Sequence, residues 1–556
     1  MAKYNTKREN KTLKPITTHE GGSGFAQTLE KELIGLLSTG LANSFYESEN
    51  ERVKRLSELI KTLAQKDPLF VAKALIYARI VFGQRSVTHV GAVELLPYLS
   101  GKDFAKRFFS KRDRKENRGG IIYRLDDMAE ILAYYQAKNG VDAPIPNSIK
   151  KGFKSVIENS DLYTLAKYQM KSRNISLIDI VNLVHPKETS INGTVEISFE
   201  EYGKAIKGTK FEGVPVNKNE KTGNAVISAL RALILGLLKQ FNTVEDKNTN
   251  AGKEVSEKIK SGEISEEEAL VELNEAKIEN FKELIESKKI GYLALLRNLR
   301  NILKTNDEDL VNKACDLLID EQFIRKSLVF PHQIDLALEV ILEEFRNNSF
   351  LLRIATALNT AYELSIPNLS ELFNKGRTAV VLDVSGSMST KIKIAKGKYG
   401  LTSALDKGAL IAATLAKGIG AEMFIFATNA MAVNYNPLDS INTIKKNLLH
   451  INKVGGGTQW EVIFPLLEEY GKFDRVFIIS DEQGADSVEK TYKTYCSKFG
   501  IPHVFVINIC GYGPTMIKEN TRVHRIYGYN ADIYETAKKV EIDIDAVLRE
   551  IEKIEI

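Results

Sequence analysis

Cysteine is scarce: Cys315, Cys496 and Cys510 are the only three in 556 residues. Far apart and odd in number, they exclude a disulfide framework and a cysteine zinc site, and they fit a reducing compartment. Long apolar runs are missing as well. The longest, Ala225 to Leu238, carries Arg231 and falls short of the roughly 20 residues that a bilayer-spanning helix needs. Met1 to Pro15 contains no apolar core and so no signal-peptide pattern. The expected location is cytoplasmic, with no membrane partner. Nor does one sign of charge dominate. Lys and Arg number 77 against 72 Asp and Glu, a formal +5, so any case for nucleic acid must rest on local clustering.

What is present is ordinary for a globular chain, 43% hydrophobic and 27% charged, and long enough for roughly two to four domains. Residues 1–16 carry Lys3, Lys7, Arg8, Lys11 and Lys14 against Glu9 and read as a polar, solvated arm. From 17 to 369 the pattern is helical. Leu29 to Leu37, Val53 to Leu63 and Phe70 to Ala78 each repeat apolar residues at i, i+3, i+4 and i+7. Pro68, Pro97, Gly119-Gly120, Pro144 and Pro146 cut the pattern into helix-length pieces, which predicts paired helices stacked as an irregular solenoid. Within it, 245–287 is dense in Glu and Lys, with Leu270, Leu273, Ile278, Phe281 and Ile285 at helical spacing. It reads as a charged helical insertion exposed to solvent.

From 370 to 556 strands alternate with helices, as in an α/β doubly wound sheet. Expected strands are Thr378–Val384, Glu422–Ala427, Arg475–Ser480, His503–Ile509 and Val523–Tyr527. Helices are expected near Asp406–Gly418, Ile441–Leu449, Trp460–Tyr470, Val488–Phe499 and Ile544–Ile554. The first strand runs into Asp383-x-Ser385-x-Ser387. A carboxylate and two hydroxyls on a turn make a hard oxygen set, suited to Mg²⁺ or Mn²⁺. Alone, such a turn is simply polar. Here Gly455-Gly456-Gly457-Thr458 adds a flexible turn ending in a hydroxyl, and Arg475 to Asp481 adds a second apolar strand ending in a carboxylate.

These features resemble the metal-ion-dependent adhesion site of von Willebrand factor A domains. The resemblance implies that Asp383, Ser385, Ser387, Thr458 and Asp481 form the ligand shell, with a position left open for an acidic group of a partner. It departs from the family where Gln459 and Trp460 follow Thr458, which leaves the support of that threonine unassigned. Lys391, Lys393, Lys396 and Lys398, just beyond the turn, read as a mobile solvated loop.

Two segments of the helical region are basic. Lys102 to Arg118 holds Lys106, Arg107, Lys111, Arg112, Arg114 and Arg118, with Phe104, Phe108 and Phe109 as core anchors. The other is Leu165 to Lys187. Cations clustered on one face are what phosphate neutralisation requires, and they equally describe a solvated face. The stretch Lys167 through Ser176-Leu-Ile-Asp-Ile-Val-Asn-Leu-Val-His-Pro-Lys187, the opening Gly21-Gly-Ser-Gly-Phe25 and Ala294 to Leu299 resemble signatures of the TROVE module. That module followed by an A domain is similar to the layout of Ro autoantigen proteins.

The resemblance implies an all-α, HEAT-like helical-repeat ring closed by the A domain. Small structured, Y-like RNA would sit on its exterior, and single-stranded 3′ ends of misfolded RNA would enter the hole. The family's exterior contacts fall on Lys167, on Lys171 or Arg173, and on His185; without the family, His185 reads as a helix-end residue buried before Pro186. The expected function is a non-catalytic, monomeric RNA-binding protein in RNA quality control, maturation or stress response. An exoribonuclease or other protein would dock on its Mg²⁺ through an acidic residue. The competing reading is a scaffold that uses a Mg²⁺-dependent A domain to recruit acidic partners.

Overall fold

A computed structural model describes residues 14–160, 175–186 and 263–556, together with 165, 255, 258 and 261. Within those spans 43, 114, 328, 330, 366–368, 370–372, 374–375, 390, 394–400, 452 and 530–532 are not described. The chain begins with a short antiparallel pair, β1 (Pro15–Thr17) on β2 (Ser23–Phe25). The expected solvated arm thus ends in a paired strand at Pro15. Helices follow: Leu29–Thr39, Glu49–Ala64, Pro68–Ile80, Ser86–Leu95, Ala105–Phe108, Asp126–Asn139, Asn147–Glu158 and Leu177–Val184. After the undescribed stretch come Glu266–Glu286, Tyr292–Thr305, Glu308–Leu318, Glu321–Ser327, Pro331–Glu344 and Leu351–Leu364. Several start on a capping box. Ser48 with Glu51, Ser176 with Asp179, and Ser265 with Glu268 each satisfy amides that the first turn leaves without helical partners.

The helical run is not wholly free of strands. Arg112–Asp113 (β3) pairs antiparallel with Arg118–Gly119 (β4), closing a small hairpin inside the basic segment. The charged helix Glu266–Glu286 is exposed along part of its length, yet Phe281, Leu284 and Ile285 are buried against the helices that follow. It is an integral member of the stack rather than a surface spacer.

The second unit is a six-stranded sheet. Its strands are β5 (Thr378–Asp383), β8 (Glu422–Phe426), β9 (Ala430–Val433), β10 (Arg475–Ser480), β11 (His503–Asn508) and β12 (Val523–Tyr527). β6 (Lys391–Lys393) and β7 (Leu401–Ser403) form a separate antiparallel pair, so the start of the expected lysine loop is a strand. Spatial order is β12-β11-β10-β5-β8-β9, all parallel except β9 at the edge. β5 is buried along its whole length because Thr-Ala-Val-Val-Leu is apolar on both faces, as helices on either side of a parallel sheet demand. Helices Ala404–Ile419, Ile441–Leu449, Ile463–Tyr470, Glu489–Phe499, Ile533–Ile542 and Ala546–Glu552 accompany it. The chain leaves β5 toward β8 on one side and later returns to β10 on the other. The order therefore switches between β5 and β10, where ligands bind in such sheets.

Three apolar clusters hold the molecule. One joins helices 281–362 to a face of the sheet, one fills the opposite face, and one packs the helices between 33 and 184. The last of these also takes in Tyr527, Leu548, Ile551 and Ile554. The sheet unit thus packs against both the first and the last helices of the helical run. Each fully buried Leu or Ile in these clusters contributes about 1.5–3 kcal/mol. Among the described residues no helix is long and apolar enough to cross a membrane.

Candidate metal centre and basic surface

β5 pairs with β10 so that Leu382 lies opposite Ile479, which brings Asp383 beside Ser480 and one residue short of Asp481. On the other flank Asp383 pairs with Phe426 of β8, and the loop beyond β8 is tied to the glycine turn by Asn429 N donating to Val454 O. Gly386 N donates to Gly456 O at 3.0 Å and Gly457 N to Thr428 Oγ1 at 3.0 Å. Sheet register and these turn bonds therefore bring all five expected residues to one place. Asp383, Ser385 and Asp481 are fully buried, and Ser387 and Thr458 nearly so.

The Asp383 carboxylate accepts from Ser385 N at 2.9 Å and from Ser480 Oγ at 2.6 Å, while Ser385 Oγ and Ser387 Oγ lie 3.2 Å apart. Asp481 Oδ1 accepts from Gln483 N at 3.1 Å, and its Oδ2 is buried with no hydrogen-bond partner among the described residues. Burial pushes the Asp383 carboxyl up to about 6. Burial, reinforced by the charge of Asp383, pushes Asp481 up to about 7. Two acids without a basic counter-ion among the described residues and an orphaned carboxylate oxygen, with hydroxyls alongside, make a place a hard divalent cation fits. No three His, Cys, Asp or Glu side chains cluster as a metal site among the described residues. A cation here would take most of its protein ligands from hydroxyls.

Four neighbours of the site carried no sequence signal. Asp486 accepts from Trp460 N at 2.8 Å and Glu461 N at 3.1 Å, and Ala485 N donates to Thr458 O at 2.9 Å. This supplies the support that Gln459 and Trp460 left unassigned. Glu482, directly after Asp481, is buried in an ion pair with Arg525. From the amino-terminal segment, Tyr46 bonds Glu20, and both lie within electrostatic range of Asp481. Burial and Glu20 drive that phenol far above its usual range. Thr18 Oγ1 donates to Gly484 O at 2.7 Å and His19 N to Gln483 Oε1 at 2.9 Å, so this segment lies along the loop that carries Asp481.

The expected RNA contacts separate. Lys167, Lys171, Arg173 and Arg114 lie outside the described residues. His185 is exposed, in left-handed conformation at the end of Leu177–Val184, so it is not buried before Pro186. Arg112 is a correction. It is buried, donating to Gly119 O at 2.6 Å and to Glu555 O at 2.7 Å, and so ties the β3–β4 hairpin to the chain's last residues instead of facing a phosphate. Lys106, Arg107 and Arg118 are exposed and Lys111 half-buried; Arg107 bonds Ile556 O at 3.2 Å. Lys106, Lys111 and Arg118 make no ion pair among the described residues. Phe108 and Phe109 are core side chains.

The helix Asn147–Glu158 packs Gly152 onto Phe109 and adds Lys150, Lys151 and Lys154 to the neighbourhood of that basic segment. The amphipathic spacing of that helix was the signal that could have found them.

A family model described as TROVE domain matches residues 246–349. The match takes in Ala294 to Leu299 and begins at the start of the charged segment. Telomerase protein component 1 from Rattus norvegicus is 22% identical over 312 residues, spanning 50% of this chain and 11% of that protein. The chain therefore covers only a small part of this curated relative. A crystal structure of the Ro (Rsr) protein of Deinococcus radiodurans is similar over 93% of this chain and 94% of that one, with a TM-score of 0.46 and 15% identity.

Proposed function

We propose, since this chain belongs to the TROVE-domain proteins, that it binds RNA and performs no chemistry on it. Small structured, Y-like RNA would lie on the basic surface of the helical unit, and misfolded 3′ ends would enter a ring closed by the sheet unit. The observation that carries the reading is the pair of apolar clusters through which the sheet unit holds both ends of the helical run. The exposed cations Lys106 and Arg118, which make no ion pair among the described residues, support it. Binding of this kind is electrostatic and tolerant of sequence. The sheet unit is read as a von Willebrand factor A domain. Asp383, Ser385, Ser387, Thr458 and Asp481 would hold Mg²⁺ or Mn²⁺, which when bound supplies a Lewis-acidic site for a carboxylate. A nuclease would need further carboxylates or a general base at the cation, and this shell pairs two carboxylates with hydroxyls.

The experiment is to purify the protein from its host, sequence the RNA that accompanies it, and repeat with Lys106, Arg118, Lys167, Lys171, Arg173 and His185 replaced. Enrichment of a small structured RNA that the variant loses supports the proposal. In the salt titration of wild type, log K should fall against log salt by about 0.7–0.9 for each phosphate contact. No RNA above a neutral control at moderate salt overturns it. The scaffold reading would then lead, although Glu20 of the chain itself already brings a carboxylate within electrostatic range of Asp481.

A further inference from the structure

A cavity of about 420 Å³ lies where the first helices meet the sheet unit, and none of the five candidate metal ligands lines it. Arg52, Arg85, Ser86 and Val87 line it from the helical side, and Lys407 and Tyr529 from the sheet side. Lys407 is only 7% exposed. Its ammonium sits 3.4 Å from the centre of the Tyr529 ring and has neither a hydrogen bond nor an ion pair among the described residues. An aromatic face replaces little of an ammonium's hydration, so the rest is left to the cavity that Lys407 lines.

The other cations of the wall are spoken for. Arg52 donates to Gly40 O, Cys510 O and Thr39 Oγ1, and pairs with Glu47. Arg85 pairs with Asp126, Asp127 and Glu130. The one carboxylate on the lining is Glu49, which is exposed.

The start of the ten-residue helix Ser86–Leu95 lines the same cavity as Lys407. Arg85 occupies the N-cap position and gives no side-chain cap. The first amide of this turn to find an acceptor is His89 N, on Arg85 O at 3.1 Å. The amides of Ser86, Val87 and Thr88 face no acceptor among the described residues. Free amides with the positive end of a helix dipole, on the same cavity as an ammonium that has no carboxylate counter-ion among the described residues, form a ready anion site.

We propose that this cavity binds a phosphate group, held between the Lys407 ammonium and the free amides at the start of the helix Ser86–Leu95. A tetrahedral dianion offers enough oxygens to satisfy both walls at once, which a single carboxylate or halide does not. Because one wall belongs to each unit, the ligand bridges them and stabilises the assembled chain in proportion to its occupancy. The phosphate can be free or carried as a monoester on a nucleoside, and the cavity volume is in the range of small-ligand sites.

The test uses the full-length protein without RNA. Thermal midpoints are followed against inorganic phosphate and, separately, a nucleoside 5′-monophosphate, with chloride at matched ionic strength as reference. A saturable rise over chloride is expected for wild type, with loss of the saturable part in Lys407→Met. Ser86→Asp adds an acid at an exposed first-turn position that suits the helix, so it folds, and it should weaken phosphate by about tenfold or more. Tighter binding of the nucleotide than of phosphate assigns a monoester site; equal or weaker binding assigns free phosphate. No rise over chloride with either ligand, or a rise that Lys407→Met and Ser86→Asp leave intact, overturns the proposal.

Discussion

Glu482 should be the most stability-critical residue near the cation site, although it is not one of the proposed ligands. It follows Asp481 with φ at +60°, a left-handed conformation that costs a non-glycine residue about 1–3 kcal/mol. Four bonds to its carboxylate hold it there. Arg525 Nη2 donates at 2.7 Å, Arg525 Nε at 2.8 Å, Asn508 Nδ2 at 3.0 Å and Met516 N at 3.2 Å. Both side chains are buried. Although burial opposes its charge, the Glu482 carboxylate holds the guanidinium above its usual range. Glu482→Gln would leave a buried guanidinium without its counter-charge, at about 3–5 kcal/mol. For a sheet unit of roughly 180 residues, at about 2–4 °C per kcal/mol, the midpoint should fall by about 6–20 °C. Differential scanning calorimetry of wild type, Glu482→Gln, Arg525→Met and Glu482→Met/Arg525→Met provides the measurement. The double variant should recover much of the loss, because two apolar side chains leave no charge behind. A single-variant shift below about 4 °C, or a double variant worse than the sum of the singles, would refute the reasoning.

Four further outcomes follow from particular contacts. Asp127 is buried, taking Arg79 at 3.1 Å, Arg85 at 3.0 Å and the amides of Tyr123 and Arg124 at 2.9 Å, so Asp127→Asn should cost about 3–5 kcal/mol in urea unfolding. Gly152→Ala should destabilise by about 1–3 kcal/mol despite alanine's better helix propensity, because its Cβ would fall 2.5 Å from Phe109 Cβ and 2.8 Å from its carbonyl oxygen; a stabilised variant would show that this packing is wrong. Burial and the charge of His503 push His524 down to about 4. The folded chain thus binds that proton more weakly than the unfolded one, so stability held above pH ~6.5 is lost as pH falls toward 4, and His524→Gln should flatten that part of the pH–stability curve. Mn²⁺ should raise the thermal midpoint of wild type and leave that of Asp383→Asn unchanged, whereas an equal rise in both would remove Asp383 from the shell.

The sheet was legible because its central strands are continuous apolar runs ending in polar residues. Thr378 to Asp383 and Arg475 to Ser480 fall within a residue of expectation for that reason. Ala430–Val433 escaped notice because an edge strand half exposed along its length needs neither continuous nor alternating hydrophobicity. The helix Ile533–Ile542 does carry the helical signal, Ile533, Tyr534, Ala537 and Val540 falling at i, i+1, i+4 and i+7 on its buried face. The five candidate ligands could be read because each sits on a turn whose composition is local. What could not be read is what reaches them from afar. Asp486 bonds a chain segment 26 residues away, Glu482 meets Arg525 across 43, and Glu20 and Tyr46 arrive from the opposite end of the chain. Charge clustering misled at Arg112 for the same reason. Its partner Glu555 is separated by 443 residues, and no local pattern distinguishes a cation facing solvent from one tied to a distant carbonyl.

The contacts between the units are not spread evenly, and their placement bears on what a cation at Asp383 and Asp481 would do. Thr18 and His19 reach Gly484 and Gln483, Phe25 pairs with Thr515, and Arg52 and Arg55 donate to the carbonyls of Cys510 and Gly511. All of these acceptors lie in the loops that follow β10 and β11, at the carboxyl ends of the strands where Asp481 also sits. Glu482 then joins the two loops through Asn508 and Arg525. The amino-terminal helices are therefore fastened to the same backbone that positions the candidate ligands. A shift of a few tenths of an ångström at either place has to be absorbed by buried, fully bonded groups, which pass displacement on because close-packed interiors resist compression. A cation at Asp383 and Asp481 would tighten the loop after β10, and with it the seam along which the helical run meets the sheet. On this geometry a bound cation would act first on how firmly the helical run is closed, and recruitment of an outside carboxylate would come second.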